Sequence, residues 1–311
     1  MSALICGSLA FDTIMVFQDQ FKNHILPDKV HILNVAFLVP RMRREFGGCA
    51  GNIAYNLKLL GGDPVPMATV GQDFETYREH FEACEIRLDQ VKVIPDLYTA
   101  QAFITTDLDD NQITAFHPGA MMRSYENHVR DVEGVKFGIV SPDGREAMLQ
   151  NAVEFAECGI PFIFDPGQAM PLFNGEEFRA FIEQADYVTV NDYESNLLQE
   201  RTGWSAKDIA ERVKAYIITR GPKGSLIHTS KGSIEVPAAN AVRVVDPTGC
   251  GDAYRAGLIY GLMNDMDLAT TGRIASLMGA LKIEHHGTQN QRFDHDEFVE
   301  QFRQQFSYAL R

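Results

Sequence analysis

Between residues 137 and 202, short apolar runs alternate with longer amphipathic segments. Strand patterns fall at Phe137 to Val140, Phe162 to Phe164 and Tyr187 to Val190, and helix patterns at Gly144 to Glu157, Glu176 to Gln184 and Tyr193 to Thr202. A strand that passes through a helix into the next strand closes by a right-handed crossover, so this stretch predicts a mostly parallel sheet covered by helices. Leu4 to Ser8, Pro66 to Val70 and Tyr216 to Thr219 supply further strands, the last followed by a hairpin around Lys231-Gly232. Helices are expected from Gly47-Gly48 onward, whose apolar face is Ala50, Ile53, Ala54, Leu57 and Leu60, over Asp73 to Ala83, and in two C-terminal regions. Two stretches break the alternation. Thr13 to Phe46 carries β-rich pieces at Thr13 to Phe17 and Ile32 to Val39 with no helix between them, and Thr99 to Thr106 turns through residues 108–112 into Ile113 to His117. The expectation is an α/β chain with a three-layer α/β/α core from residues 1–12, 48–97 and 121–311, and a small β lid from 13–47 and 98–120.

With 311 residues the chain can bury a sizeable core. A net charge of −14 argues against a nucleic-acid or anionic-membrane surface, both of which require positive potential. No run approaches the ~20 apolar residues of a membrane span, and no basic leader opens the chain, so a cytoplasmic location is expected. The five cysteines show no CxxC pairing, which fits reduced thiols. His285-His286 reads as one partly buried and one exposed histidine at a helix end rather than a metal pair.

The most informative loop is Val245-Asp246-Pro247-Thr248-Gly249-Cys250-Gly251-Asp252. Val242 to Val245 reads as a strand, the Pro turn ends it, and an amphipathic segment begins at once. Unpaired amides at a helix N-terminus, bared by Gly249, Cys250 and Gly251, make an anion cradle. Asp252 in that cradle would repel a phosphate unless it acts, for instance by taking a proton from an attacking hydroxyl. An ordinary capped helix with a Gly-rich start has the same local pattern.

Other polar groups gather at the carboxyl ends of the expected strands, the edge at which open α/β sheets bind ligands. Asp12 follows the first strand, Asp165-Pro166-Gly167-Gln168 the strand ending at Phe164, Asn191-Asp192-Tyr193-Glu194 the strand ending at Val190, and Arg220-Gly221-Pro222-Lys223-Gly224 the strand ending at Thr219. Asn191 and Glu194 are one turn apart, which suits ordering the waters of a Mg2+–phosphate complex and equally suits a capping box. Residues 219–224 could line a nucleotide's phosphates or form a plain Gly-Pro turn. No GxxxxGK[ST] or GxGxxG is present, which excludes the Walker and dinucleotide fingerprints.

Asp-Pro-Thr-Gly-Cys-Gly-Asp at 246–252, Gly-Gly-x-x-x-Asn at 47–52, the Asp12 strand end and Asn-x-x-Glu at 191–194 occur in one order along nearly the whole chain. Together they resemble the ribokinase (PfkB-type) family of sugar and nucleoside kinases, and within it bacterial adenosine kinases. Further carriers are Gly7-Ser8, Phe37-Leu38-Val39, Pro118-Gly119-Ala120-Met121, Thr202-Gly203-Trp204-Ser205 and Tyr254-Arg255-Ala256-Gly257. The resemblance implies a ribokinase-like fold and ATP-dependent phosphorylation of a nucleoside 5′-hydroxyl, with a sugar kinase of the same fold or a silent nucleotide-binding regulator as alternatives. It implies Asp252 as general base with the Gly249, Cys250 and Gly251 amides as anion hole. Ser8, Asp12, Gly47, Gly48, Asn52, Phe116 and Gln168 would hold the nucleoside. Asn191 and Glu194 would organise Mg2+ through water, and Thr219, Gly221 and Gly224 would line ATP. Asp246 with Thr248 would contribute to the monovalent-cation (K+) site of some members. The partners implied are nucleoside and ATP, with no nucleic acid and no membrane, in a monomer or a lid-paired homodimer.

Two departures stand out. Phe116 would stack on the base, but the facing lid position is Ala102, and the neighbouring Phe103 should point the other way, unless Phe103 or Phe11 fills the gap. A one-sided stack predicts a broad base range. Cys250 replaces the usual Ala, Val or Gly, and its place at a helix N-terminus predicts either a lowered thiol pKa or merely a small residue that fits.

Overall fold

The computed structural model describes residues 2–25, 34–109 and 111–310. Its centre is a nine-stranded sheet built from β1 (Ser2–Cys6), β4 (Pro64–Val70), β5 (Val91–Val93), β8 (Val135–Val140), β9 (Phe162–Phe164), β10 (Tyr187–Asn191), β11 (Ala215–Thr219), β12 (Ser225–Thr229) and β13 (Gly232–Val236). The spatial order is β13-β12-β11-β10-β9-β8-β1-β4-β5. All neighbours are parallel except the pairs β11/β12 and β12/β13, so the hairpin around Lys231-Gly232 closes one edge.

Side chains alternate across this sheet and make two cores. Ala3 and Ile5 of β1 pack toward α1 (Cys49–Leu59), α2 (Glu75–Ala83), α7 (Cys250–Met263) and α8 (Leu268–Ile283). Leu4 and Cys6 pack toward α3 (Arg145–Glu157), α4 (Gly175–Gln184), α5 (Asp192–Thr202) and α6 (Ala206–Ala210). On α4, Phe178, Phe181 and Ile182 lie at helical spacing and are fully buried. Each such side chain contributes about 1.5–3 kcal/mol. A smaller cluster seats α9 (His295–Phe306) on α8 through Phe298 and Phe302. No helix among the described residues is long and apolar enough to cross a membrane.

A separate four-stranded sheet rises from the core: β2 (Ala10–Val16), β3 (Arg41–Gly47), β6 (Ala100–Thr106) and β7 (Gln112–His117), in the order β3-β2-β6-β7. β2 and β6 run parallel while the outer pairs are antiparallel, which joins the two inserts into one lid. Here the structure departs from the sequence reading. Residues 34–39 form no strand, and Ile32 and Leu33 lie outside the described residues, as does Asp110 in the β6–β7 turn. Phe37 instead packs on Phe17 and Phe21. The strand is the Arg- and Glu-rich stretch Arg41–Gly47, an edge whose outer residues are solvated. Val242 to Val245 is likewise no strand: Val242 and Val244 are exposed, and the Val245 and Asp246 amides donate to the Ile283 carbonyl at the end of α8.

Candidate active site

The chain leaves β1 at Cys6 and enters the lid at Ala10, so Asp12 is the third residue of a lid strand rather than the end of a core strand. Register places Glu45, Asp12, Ala102 and Phe116 in one row across the lid, on the same face. Asp12 accepts no hydrogen bond from the described residues. Burial, then the nearby Glu45 and Asp246 carboxylates, push its carboxyl up to about 6. Phe103 pairs with Ala115 on the other face, and Phe11 is buried against Phe46 and Tyr77. Neither therefore faces Phe116, which is 52% exposed.

Beneath the lid stands the N-terminus of α7. Gly249 is its N-cap with φ 79°, a left-handed conformation, and a Cβ there would come within 3.0 Å of Thr288. Of the three expected anion-hole amides, that of Cys250 donates to the Pro247 carbonyl (3.2 Å), whereas those of Gly249 and Gly251 meet no acceptor among the described residues. Asp252 lies in the first turn. Burial pushes its carboxyl up to about 7, against a hydrogen bond from Asn52 and the Arg255 charge that hold it down, while Asp165 and Asp12 add to the rise. The Cys250 thiol is pushed up to about 11, not down. Burial, with Asp246 and Asp252 nearby, outweighs the Lys282 charge that holds the thiol down.

Asn52 projects from α1, whose N-terminus is built by Gly48 in a positive-φ turn (φ 86°) and capped by Ser8 Oγ accepting from Cys49 N (3.2 Å). A Cβ on Gly48 would sit 2.5 Å from the Ser8 carbonyl, and one on Gly47 2.5 Å from Asp12 Oδ2. Ser8 is thus a helix cap in this structure. Asn52 Nδ2 donates to Asp252 Oδ2 (2.8 Å), and its Oδ1 accepts from Gln289 Nε2 (3.0 Å). Gln289 Nε2 also donates to Tyr77 Oη (2.7 Å), whose hydroxyl donates to the Gly47 carbonyl (2.8 Å). His80 Nε2 lies 3.0 Å from Gln289 Oε1. The sequence reading missed Tyr77, His80 and Gln289, which lie on a helix face and in a loop with no motif around them.

Arg255 and Asp165 also received no role. Their side chains are buried and paired bidentately, Nε to Oδ2 and Nη2 to Oδ1 at 2.8 Å each, and Nη1 donates to the Gly251 carbonyl (3.2 Å). Breaking such a buried pair costs about 3–5 kcal/mol. Through the Gly251 carbonyl the pair is tied to the first turn of α7. The available sign was an arginine one turn past Asp252 on a mostly apolar helix face.

At the neighbouring strand ends, Asn191 and Glu194 close a capping box: Asn191 Oδ1 accepts from Glu194 N (2.7 Å) and Glu194 Oε2 from Asn191 N (2.8 Å). Glu194 Oε1 accepts from none of the described residues. Burial raises this carboxyl, with the Asn191 amide and Arg255 opposing. Thr219 lies beside Asn191 in register, and the following loop is a tight turn with Gly221 (φ 54°) and Gly224 (φ 78°) that feeds β12. Gln168 sits exposed in the turn after β9. Asp246 Oδ1 accepts from Thr248 N (2.9 Å) and Oδ2 from Gly287 N (3.0 Å). Lys282 Nζ donates to the Asp246 carbonyl (2.8 Å), and burial pulls this ammonium down while Asp246 opposes. His285 is part-buried and His286 exposed, no metal cluster occurs among the described residues, and all five cysteines are free.

A protonatable carboxylate in an anion cradle, under a lid bearing a second carboxylate and an aromatic ring, is equipped to deprotonate an alcohol beside a phosphoryl group. Known proteins carry the same arrangement of elements. A nucleoside kinase from Burkholderia thailandensis, solved in complex with inosine, is 53% identical with a TM-score of 0.91, covering 99% of this chain and 99% of that one. The same enzyme in complex with ADP-inosine is 55% identical, TM-score 0.87, covering 99% and 97%. A nucleoside kinase from Methanocaldococcus jannaschii is 31% identical over 276 residues, 86% of this chain and 88% of that protein. Residues 14–294 match the pfkB family carbohydrate kinase description. The chain belongs to the pfkB family of carbohydrate kinases, phosphotransferases that act on an alcohol group.

Proposed function

We propose that the chain is an ATP-dependent nucleoside kinase that transfers the γ-phosphoryl group to the 5′-hydroxyl of a ribonucleoside, with adenosine and inosine as first substrates. The observation that carries this reading is Asp252: a carboxyl pushed up to about 7, held by Asn52 at the start of α7. A base of that pKa takes a hydroxyl proton near neutrality while the nucleophile attacks in line, without a phosphoenzyme. The free amides of Gly249 and Gly251 would receive the transferring group. Asp12, lacking a donor, would accept from the ribose diol, with Gly47 and Gly48 allowing the sugar's close approach. Ser8 supports that turn, and Gln168 borders the same edge. Phe116 would stack on the base, and the small Ala102 beside it leaves room for several bases. Thr219, Gly221 and Gly224 would line ATP. Mg2+, when bound, would neutralise phosphate charge, and Asn191 and Glu194 would hold its waters. The lid closing over ribose would exclude water.

The test is ADP release with adenosine, inosine, guanosine, cytidine, free ribose and fructose. Comparable turnover of several nucleosides and none of free sugars is expected. Turnover of a free sugar alone would replace this reading with a sugar kinase, and strict adenosine preference would overturn the broad range. Asp252→Asn should lower kcat by about 10³-fold or more while nucleoside affinity changes little.

A further inference from the structure

Lys282, in the last turn of α8, is fully buried, yet its ammonium does not contact the reacting groups. Nζ donates to the carbonyl of Asp246 (2.8 Å) and to that of His285 (3.1 Å). An ammonium has three donors and no acceptor, so it settles where carbonyl oxygens converge. Those oxygens belong to the two loops that cross under the cradle. The carboxylate of Asp246 also joins these loops, accepting from Thr248 N and Gly287 N. The Val245 and Asp246 amides both donate to Ile283, one residue past Lys282.

A free monovalent cation held by the Asp246 and His285 carbonyls would need them to face an empty space, and here both face Nζ. With the tethered ammonium on both, these two carbonyls do not also fit K+. We propose that the Lys282 ammonium is a tethered substitute for that cation, fixing residues 246–249 against 285–288 and adding positive charge beneath the anion cradle, so that the enzyme works without potassium. Lys282 is then a positioning residue, acting through the loop carbonyls. The inference rests on the phosphoryl-transfer reading of the loop.

The experiment compares the unaltered protein with Lys282→Ala, which removes the ammonium and its methylene arm and leaves space for a free cation, and Lys282→Met, which fills most of that space without charge. Thermal unfolding is followed in KCl, NH4Cl and choline chloride at equal ionic strength. The unaltered protein should melt alike in all three, while Lys282→Ala should gain about 2 °C or more in K+ or NH4+ over choline, because an ion that binds the folded state stabilises it. Lys282→Met should show no such gain. This readout needs no turnover, so it succeeds or fails separately from the kinase reading. In the kinase assay, unaltered activity should be the same in all three salts, and Lys282→Ala should lose about tenfold or more in choline and recover in K+ or NH4+. Activation of the unaltered enzyme several-fold by K+, or full activity of Lys282→Met in choline, would overturn the proposal. Were both variants to misfold, the salt series on the unaltered protein would still decide.

Discussion

The amide of Asn52 is held nitrogen-first toward Asp252 by a chain whose donor roles are forced. The Gly47 carbonyl can only accept, so the Tyr77 hydroxyl donates to it and must itself accept from Gln289 Nε2. The other proton of that nitrogen goes to Asn52 Oδ1, which leaves Asn52 Nδ2 to donate to Asp252. This donor favours the carboxylate and holds down a pKa that burial raises to about 7. The kcat/KM profile of the unaltered enzyme should therefore rise with pH through about 7 as Asp252 loses its proton. Gln289→Leu frees the Asn52 amide to turn, so its profile should shift to higher pH by about one unit, with kcat at neutrality down about tenfold. An unmoved midpoint with reduced kcat would reduce Gln289 to packing. Asp252 and Asn52 are legible in the sequence because each sits in a Gly-rich helix start. Tyr77 and Gln289 are not, because their roles depend on folding that brings positions 77 and 289 to one spot.

At the level of elements, α7 carries Asp252, and its position is set by close contact with α8. A Cβ on Gly257 would lie 2.5 Å from Ala275 Cα, and one on Gly261 2.6 Å from Thr271 Oγ1. Gly257→Val must push the helices apart, and should cost about 1–3 kcal/mol in urea unfolding, with kcat falling alongside because Asp252 moves with its helix. The alternation of β8 to α5 was readable because short apolar strands, buried on both faces, are separated by longer helices with polar outer residues. β3 was not: Arg41, Arg43 and Arg44 hide a strand whose stability comes from pairing with β2 rather than from burial. Val242 to Val245 misled for the opposite reason, since β-branched residues there cover no core and lie across the end of α8.

For the whole molecule, the net charge of −14 sets the approach of a polyanionic co-substrate. Raising salt from about 20 to about 200 mM should lower the KM for ATP by about two- to threefold as repulsion is screened, while the KM for an uncharged nucleoside stays level. Equal salt effects on both would point away from long-range charge. The segment 285–291 has one more consequence, which concerns synthesis. It bonds to the lid through Thr288 to Phe46 (2.5 Å) and Asn290 to Glu45 (2.9 Å), to α1 through Gln289 and Gln291, and to the cradle through Gly287. Every strand among the described residues, and Asp252, leave the ribosome before it does. A nascent chain can thus assemble its sheet and present Asp252 while Asn52 is still unoriented and the cradle unclasped, so phosphoryl transfer should switch on only after this late segment has emerged and docked.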